Sequence, residues 1–211
     1  MEFSLQPALP ADAPALTQIY FSAFTNDLST RIMPNTPDVA TFQTASFEKA
    51  AEDAQAGRNT DLIKVVGTAE GQDDIIAGFA LWKFFEDDSD PNAKGEGKKT
   101  EWPASSDAAL CDSFFSGCDR ERRRAIGDQP HYYLSMLAVD PAYGRQGLGG
   151  KLLKWGLDRS DREGKITFIS SSPTGRGLYE KHGARAVNNY EVVPGYRETS
   201  MIRPVTGLRR G

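Results

Sequence analysis

Apolar positions along the chain recur at two spacings, and these predict an alternation of strands and helices. Residues 3–7 alternate like a short strand, and Asp12–Phe24 follows with Leu16, Ile19, Tyr20 and Ala23 on one helical face. Thr36-Pro37-Asp38 is a helix start, with a cap residue, a proline at the first position and an acid in the first turn. That helix is expected to run to about Ala56 and end near Gly57. Leu62–Thr68 and Ile75–Phe84 read as strands around the turn-forming Glu70-Gly-Gln-Asp-Asp. Residues 86–104 carry acids, lysines, glycines and prolines without periodicity, as a solvated loop does. Asp107–Arg124 sets Leu110, Cys111, Phe114, Phe115 and Cys118 on one helical stripe and ends in Arg120-Glu-Arg-Arg-Arg. That basic run reads as a solvated helix end favoured by the dipole, with a site for an anion or an acidic partner as the alternative.

The second half begins with a strand at His131–Val139, a glycine-rich turn and a helix to about Arg159. A strand at Lys165–Ser171, a short helix at Thr174–His182 and a closing strand pair at Ala184–Val193 and Arg197–Arg203 complete the order. Pro194-Gly195 supplies the turn of that last pair. The order β-α-α-β-β-(insert)-β-α-β-α-β-β predicts an α/β (α+β) fold, without internal repeats.

Composition narrows the class. At 211 residues, with 39% hydrophobic and 26% charged residues, the chain suits one globular domain over 1–211 with an insertion. A net charge of −4 argues against nucleic acid as a partner. The two cysteines, Cys111 and Cys118, stand two turns apart on one helix face. That distance, roughly 10 Å, is too long for a disulfide, so both are expected as free core thiols. With only His131 and His182, no metal site is expected. Residues 1–7 lack a basic start followed by an apolar core, and no run approaches a membrane span. The expectation is a cytoplasmic protein without membrane partners.

The segment Leu137-Ala-Val-Asp-Pro-Ala-Tyr-Gly-Arg-Gln-Gly-Leu-Gly-Gly-Lys carries the chemistry. Its apolar strand stops at Asp140-Pro141, and Gly147, Gly149 and Gly150 crowd the start of a helix with Leu148, Leu152 and Trp155 on its apolar face. A helix start exposes unpaired N–H groups and the positive end of the dipole, and glycines let a ligand reach that backbone. This is a cradle for phosphate or pyrophosphate. It is neither a P-loop, lacking Gly-Lys-Ser/Thr, nor the three-glycine dinucleotide fingerprint.

Gly144-Arg-Gln-Gly147-Leu-Gly149 resembles the Gln/Arg-x-x-Gly-x-Gly/Ala pattern of the GNAT superfamily of acetyl-CoA-dependent N-acetyltransferases. Leu178-Tyr-Glu-Lys-His-Gly183, about thirty residues on, is similar to that family's Leu-Tyr-Glu-Lys-x-Gly-Phe signature. Gly144 and Ala184 depart from the family residues, the first losing a side-chain contact and the second altering packing. The resemblance implies a mixed sheet of about seven strands, splayed between strands 4 and 5 and flanked by helices. It implies acetyl-CoA as co-substrate, with its pantetheine arm on Leu137, Ala138 and Val139. Either the Leu137 or the Val139 amide would polarise the thioester carbonyl. The pyrophosphate would lie on Arg145, Gln146, Gly147, Leu148, Gly149, Gly150 and Lys151, and Tyr179 would protonate the departing thiolate.

The resemblance leaves the acceptor and the general base open. Where some family members carry a glutamate on the fourth strand, this chain has Tyr133. Tyr133, Ser135 or His131 acting through water, and Asp27 or Glu86, are the candidates for the base. Phe24, Asn26, Asp27, Arg31, Trp82 and Tyr133 are candidates for lining the acceptor pocket. The insert at 86–128 is expected near that mouth, as a lid or as a surface elaboration. A small-molecule amine is the expected acceptor. A protein lysine or N-terminus, and a non-catalytic acyl-CoA-binding module, are the alternatives. The expected assembly is a monomer or homodimer.

Overall fold

The computed structural model describes residues 1–71, 74–86 and 100–206. Most of the loop expected over 86–104, and part of the turn at 70–74, lie outside the described residues. The elements in chain order are β1 (Glu2–Pro7), a 3-10 turn (Pro10–Asp12), α1 (Ala13–Ala23), α2 (Asp27–Ile32) and α3 (Pro37–Gln55). Next come β2 (Thr60–Thr68), β3 (Ile75–Phe85), α4 (Ala108–Ile126), β4 (His131–Val139) and a 3-10 turn (Pro141–Tyr143). Then follow α5 (Leu148–Arg162), β5 (Ile166–Ser171), α6 (Arg176–Lys181), β6 (Arg185–Val193) and β7 (Tyr196–Arg203). The expected elements all form, with ends displaced by up to three residues; α2 is additional. Asn26 starts α2 by accepting the Ser29 amide on its side chain at 3.0 Å.

The strands hydrogen bond in the order β1-β2-β3-β4-β5-β7-β6. β1 and β2 are antiparallel, as are the pairs within β5-β7-β6, whereas β4 and β5 are parallel. The parallel ladder runs from His131↔Ile166 to Leu134↔Ile169, and Ser135–Val139 continue past its end. This is the α/β class expected from the element order and the mixed, seven-stranded sheet that the resemblance implied.

Two compact units are distinguished. One comprises Met1–Trp82, Pro103–Ser106 and Met136–Leu153; the other comprises Lys83–Trp102, Asp107–Ser135 and Lys154–Gly211. In the first, α3 packs on β2 and α1 on α3, burying Leu16, Val39, Phe47, Val65 and Phe79 to 1% exposure or less. Phe47 meets Phe79 edge-on, with ring centroids 4.9 Å apart. In the second, α4 lies on β5, β6 and β7. Gly117 makes that contact close, since a Cβ there would stand 3.3 Å from the Val192 Cγ1. Cys111 and Cys118 are buried along α4 and form no disulfide, as their spacing indicated.

The basic end of α4 is more than a solvated terminus. Arg122 is 3% exposed and donates to Asp119 Oδ1 at 2.6 Å, and its guanidinium lies 4.1 Å over the Phe85 ring. Arg123 also pairs with Asp119, and Arg124 with Glu121 at 3.1 Å. Arg122 is therefore turned inward as a structural cation, a role that neither reading of the run contained. No helix among the described residues is long and apolar enough to cross a membrane.

Candidate functional site

The glycine turn and the strand before it lie within the first unit. β3 and β4 approach so closely that a Cβ on Gly78 would stand 2.7 Å from the Ala138 carbonyl oxygen. The Asp140 amide donates to the Ala77 carbonyl at 2.9 Å, pinning the end of β4. Asp140 then caps the 3-10 turn, its Oδ1 accepting the Ala142 amide at 2.8 Å. Ala138 is buried, but Met136, Leu137 and Val139 are only half-buried. Apolar side chains left part-exposed at the end of an interior strand suit an apolar ligand arm.

The chain then turns through two left-handed residues, Arg145 (φ 60°) and Gly147 (φ 76°). A left-handed arginine is uncommon and costs roughly 1 kcal/mol. A Cβ on Gly147 would meet nothing within 4 Å, so the space over this turn is open. The first helical hydrogen bond of α5 runs from the Lys151 amide to the Gly147 carbonyl at 3.1 Å. The amides of Leu148, Gly149 and Gly150 precede it and have no acceptor within the helix. Gly144, Arg145, Gln146 and Gly147 are exposed, as is Lys151, while Leu148, Leu152 and Leu153 are buried and fix the helix. The result is a run of N–H groups at a positive helix end, with the exposed Arg145 and Lys151 beside it, an arrangement able to take an anion.

The second unit holds Tyr179 on α6. It is 9% exposed, and its hydroxyl makes no hydrogen bond among the described residues. Its ring edge would stand 3.0 Å from a Cβ on Gly175, so that glycine lets the ring pack. Gly183 (φ 88°) ends the helix, and the Tyr179 carbonyl accepts the amides of His182 and Ala184, each at 3.0 Å. Burial, and then the negative field of Glu198, push the phenol up to about 12. It is protonated at neutral pH, as an ordinary phenol also is.

Glu198 is the residue that sequence reasoning missed. It stands on β7 directly across the ladder from Tyr190 and is 5% exposed. Ser170 of β5 donates to its Oε2 at 3.3 Å and lies 2.7 Å from the Tyr190 hydroxyl. Tyr196 also donates to it. Among the described residues no lysine, arginine or histidine pairs with it. Burial pushes its carboxyl up to about 7, against the hydrogen bonds of Tyr196 and Ser170. Cys118 joins the same group through Ser170, 3.8 Å away.

The other candidates are dispersed. Phe24 meets Tyr20 at a tilt, with ring centroids 4.8 Å apart, Asp27 is exposed in the first turn of α2, and Trp82 is fully buried in its unit. Tyr133, in the other unit, is half-buried with its ring 5.8 Å from that of Phe168. Of the candidate bases, Glu86 is exposed and pairs with Lys165 at 3.2 Å. His131 is enclosed, with Nδ1 2.7 Å from the Gln129 carbonyl and Nε2 3.1 Å from Arg122.

Residues 121–203 match the family model described as an acetyltransferase (GNAT) domain. Arylalkylamine N-acetyltransferase 2 from Aedes aegypti has a similar fold, at a TM-score of 0.68 and 13% identity over 97% of this chain and 100% of that one. The ribosomal-protein-S18-alanine N-acetyltransferase of Escherichia coli is similar over 100% of this chain and 98% of its own, with a TM-score of 0.55 and 17% identity. The PaiA N-acetyltransferase of Thermoplasma acidophilum, solved with coenzyme A, is similar over 97% and 99%, with a TM-score of 0.57 and 11% identity. No curated protein matches by sequence. The match to a GNAT acetyltransferase domain thus covers residues 121–203, and the fold of the chain as a whole is similar to that of these N-acetyltransferases.

Proposed function

We propose that the chain moves an acetyl group from acetyl-CoA to the primary amine of a small molecule, by direct attack in a ternary complex. The observation that carries this reading is the turn at Arg145–Gly147. Its two left-handed residues and the amides of Leu148, Gly149 and Gly150 form a seat for a pyrophosphate at the end of β4.

In this reading acetyl-CoA, when bound, supplies an activated acyl group as a thioester. The backbone of Leu137, Ala138 and Val139 holds the pantetheine arm, and the Leu137 or Val139 amide donates to the thioester carbonyl oxygen. Arg145 and Lys151 add charge at the phosphates. Tyr179 gives its proton to the departing sulfur. Phe24, Asp27, Trp82 and Tyr133 are retained as acceptor-side candidates. A net charge of −4 suits a cationic amine, and a cytoplasmic setting is retained as part of the reading.

The named relatives act on different acceptors, one on arylalkylamines and one on a ribosomal protein, so the acceptor needs direct assay. The test is thiol release from acetyl-CoA across a panel of small amines and of peptides with free N-termini or lysines. Faster turnover of small amines supports the reading. A preference for peptides makes the chain a protein acetyltransferase, and coenzyme binding with no turnover anywhere makes it a binding module.

A further inference from the structure

Within the second unit, β5, β6 and β7 bring one carboxylate and a set of hydroxyl groups to the face that α4 covers. Ser170 pairs with Ser200, and Tyr190 pairs with Glu198, two residues earlier on the same strand. Residues opposite one another or two apart share a face of a sheet, so Ser170, Tyr190 and Glu198 do so here. Tyr196 approaches along β7, Cys118 and Asp119 from α4, Tyr133 from β4 and Tyr179 from α6. None of these groups is a cation. The arginine of α4 that faces this region, Arg122, is engaged with Asp119 and His131.

An enclosed carboxylate is normally held by a cation, because the loss of hydration is otherwise uncompensated. Glu198 has only hydroxyl donors, and the groups around it, Ser170, Tyr190, Tyr196 and Tyr133, are half-buried rather than sealed. The missing partner is a small cation with N–H donors and an apolar body that tyrosine rings can flank. The Tyr179 phenol feels the same charge, which places the proton donor of the reaction in the neighbourhood of that seat.

We propose that Glu198 seats the ammonium group of the acceptor and takes its proton. The inference rests on the acetyl-transfer reading for its second half. Glu198 accepts one proton from R–NH3+, and the freed nitrogen lone pair bonds to the thioester carbonyl carbon. The carbon–sulfur bond breaks, and its electrons leave on sulfur, which takes the Tyr179 proton. The amide nitrogen sheds its surplus proton, which returns to Tyr179 through solvent, and Glu198 releases the first to water. The balance is R–NH3+ plus thioester giving amide, thiol and H+. The carboxyl, raised to about 7, is suited to this exchange near neutral pH.

The test uses the whole chain and Glu198→Gln, which keeps the shape and most hydrogen bonds. In the wild type, kcat/KM for an amine that is turned over rises to a plateau above about pH 7. Glu198→Gln loses roughly 100-fold in kcat/KM and loses the rising limb, while acetyl-CoA affinity stays within about twofold. Ser170→Ala, which removes a donor to the carboxylate, moves the limb to higher pH. A second readout needs no coenzyme: butylamine or phenethylamine shifts the 13C-carboxyl resonance of Glu198. If thiol is released and Glu198→Gln keeps the wild-type rate and limb, the proposal is overturned and the acetyl-transfer reading stands. If the amines shift the resonance but no thiol is released with any amine, the seat stands and the transfer reading falls. If neither amine shifts the resonance, the seat falls.

Discussion

Arg122 donates to the unprotonated Nε2 of the buried His131 ring. Its Nη1 lies 3.1 Å from His131 Nε2, while Nδ1 is 2.7 Å from the Gln129 carbonyl, which requires the proton on Nδ1 and leaves Nε2 to accept. The ring stacks on Phe85 at 4.9 Å. Burial first, against the Gln129 hydrogen bond, with the Arg122 charge adding to it, lowers its pKa from 6.5 to about 4. The stability this confers is present above pH 6.5 and lost as pH falls through about 4.

Glu198 acts in the opposite sense. Its carboxyl is raised from 4.5 to about 7, so its contribution is present below pH 4.5 and lost as pH rises through 7. Over pH 4.5–6.5 the two slopes, each at most about 1.4 kcal/mol per pH unit, oppose one another. Glu198→Gln is expected to become markedly less stable on acidification across that window, and His131→Gln less stable on alkalinisation. Thermal melts at several pH values check this. Identical profiles for wild type and both variants would contradict both assignments.

Asp161 at the end of α5 takes both terminal nitrogens of Arg203, and it accepts the Thr206 amide at 2.7 Å. Burial pushes its carboxyl up, but the hydrogen bonds of Arg203 and Thr206 outweigh this and bring it from 3.8 to about 2. The resulting stability is present above pH 3.8 and lost as pH falls through about 2. Asp161→Asn is expected to lose roughly 2 kcal/mol at neutral pH, read by urea unfolding. An unchanged midpoint would mean that the pair contributes nothing.

Gly147→Ala places a methyl group over the open turn and forces a left-handed alanine. A stability loss of roughly 1 kcal/mol is expected, with acetyl-CoA affinity down about tenfold. Calorimetry and thermal melts separate the two effects. Unaltered affinity would remove this turn from the coenzyme site.

Tyr179→Phe is expected to retain acetyl-CoA affinity and lose roughly 100-fold in kcat, since the buried phenol is the assigned proton donor. Thiol release at saturating amine checks it. A wild-type kcat would return Tyr179 to a packing role.

The cradle was legible because its signals are local: a strand stop, three glycines and an apolar stripe within about twenty residues. The same holds for Leu178–Gly183, where Gly183 ends the helix. What stayed hidden depends on distant partners. Asp27–Ile32 is too short to show periodicity, and its start rests on one Asn26 hydrogen bond. Glu198 follows Arg197 in the last strand of the closing pair, where nothing in the sequence marks it as buried. Only α4, β5 and β6 packing around it make it a buried carboxylate. Arg122 likewise looked like one charge in a basic run until Asp119, His131 and Phe85 enclosed it.

Calorimetric titration of the whole chain with acetyl-CoA tests the central claim most directly. Saturable binding at one site per chain is the expected result, with an affinity that weakens in Gly147→Ala. An absence of binding to the wild-type chain would contradict the account.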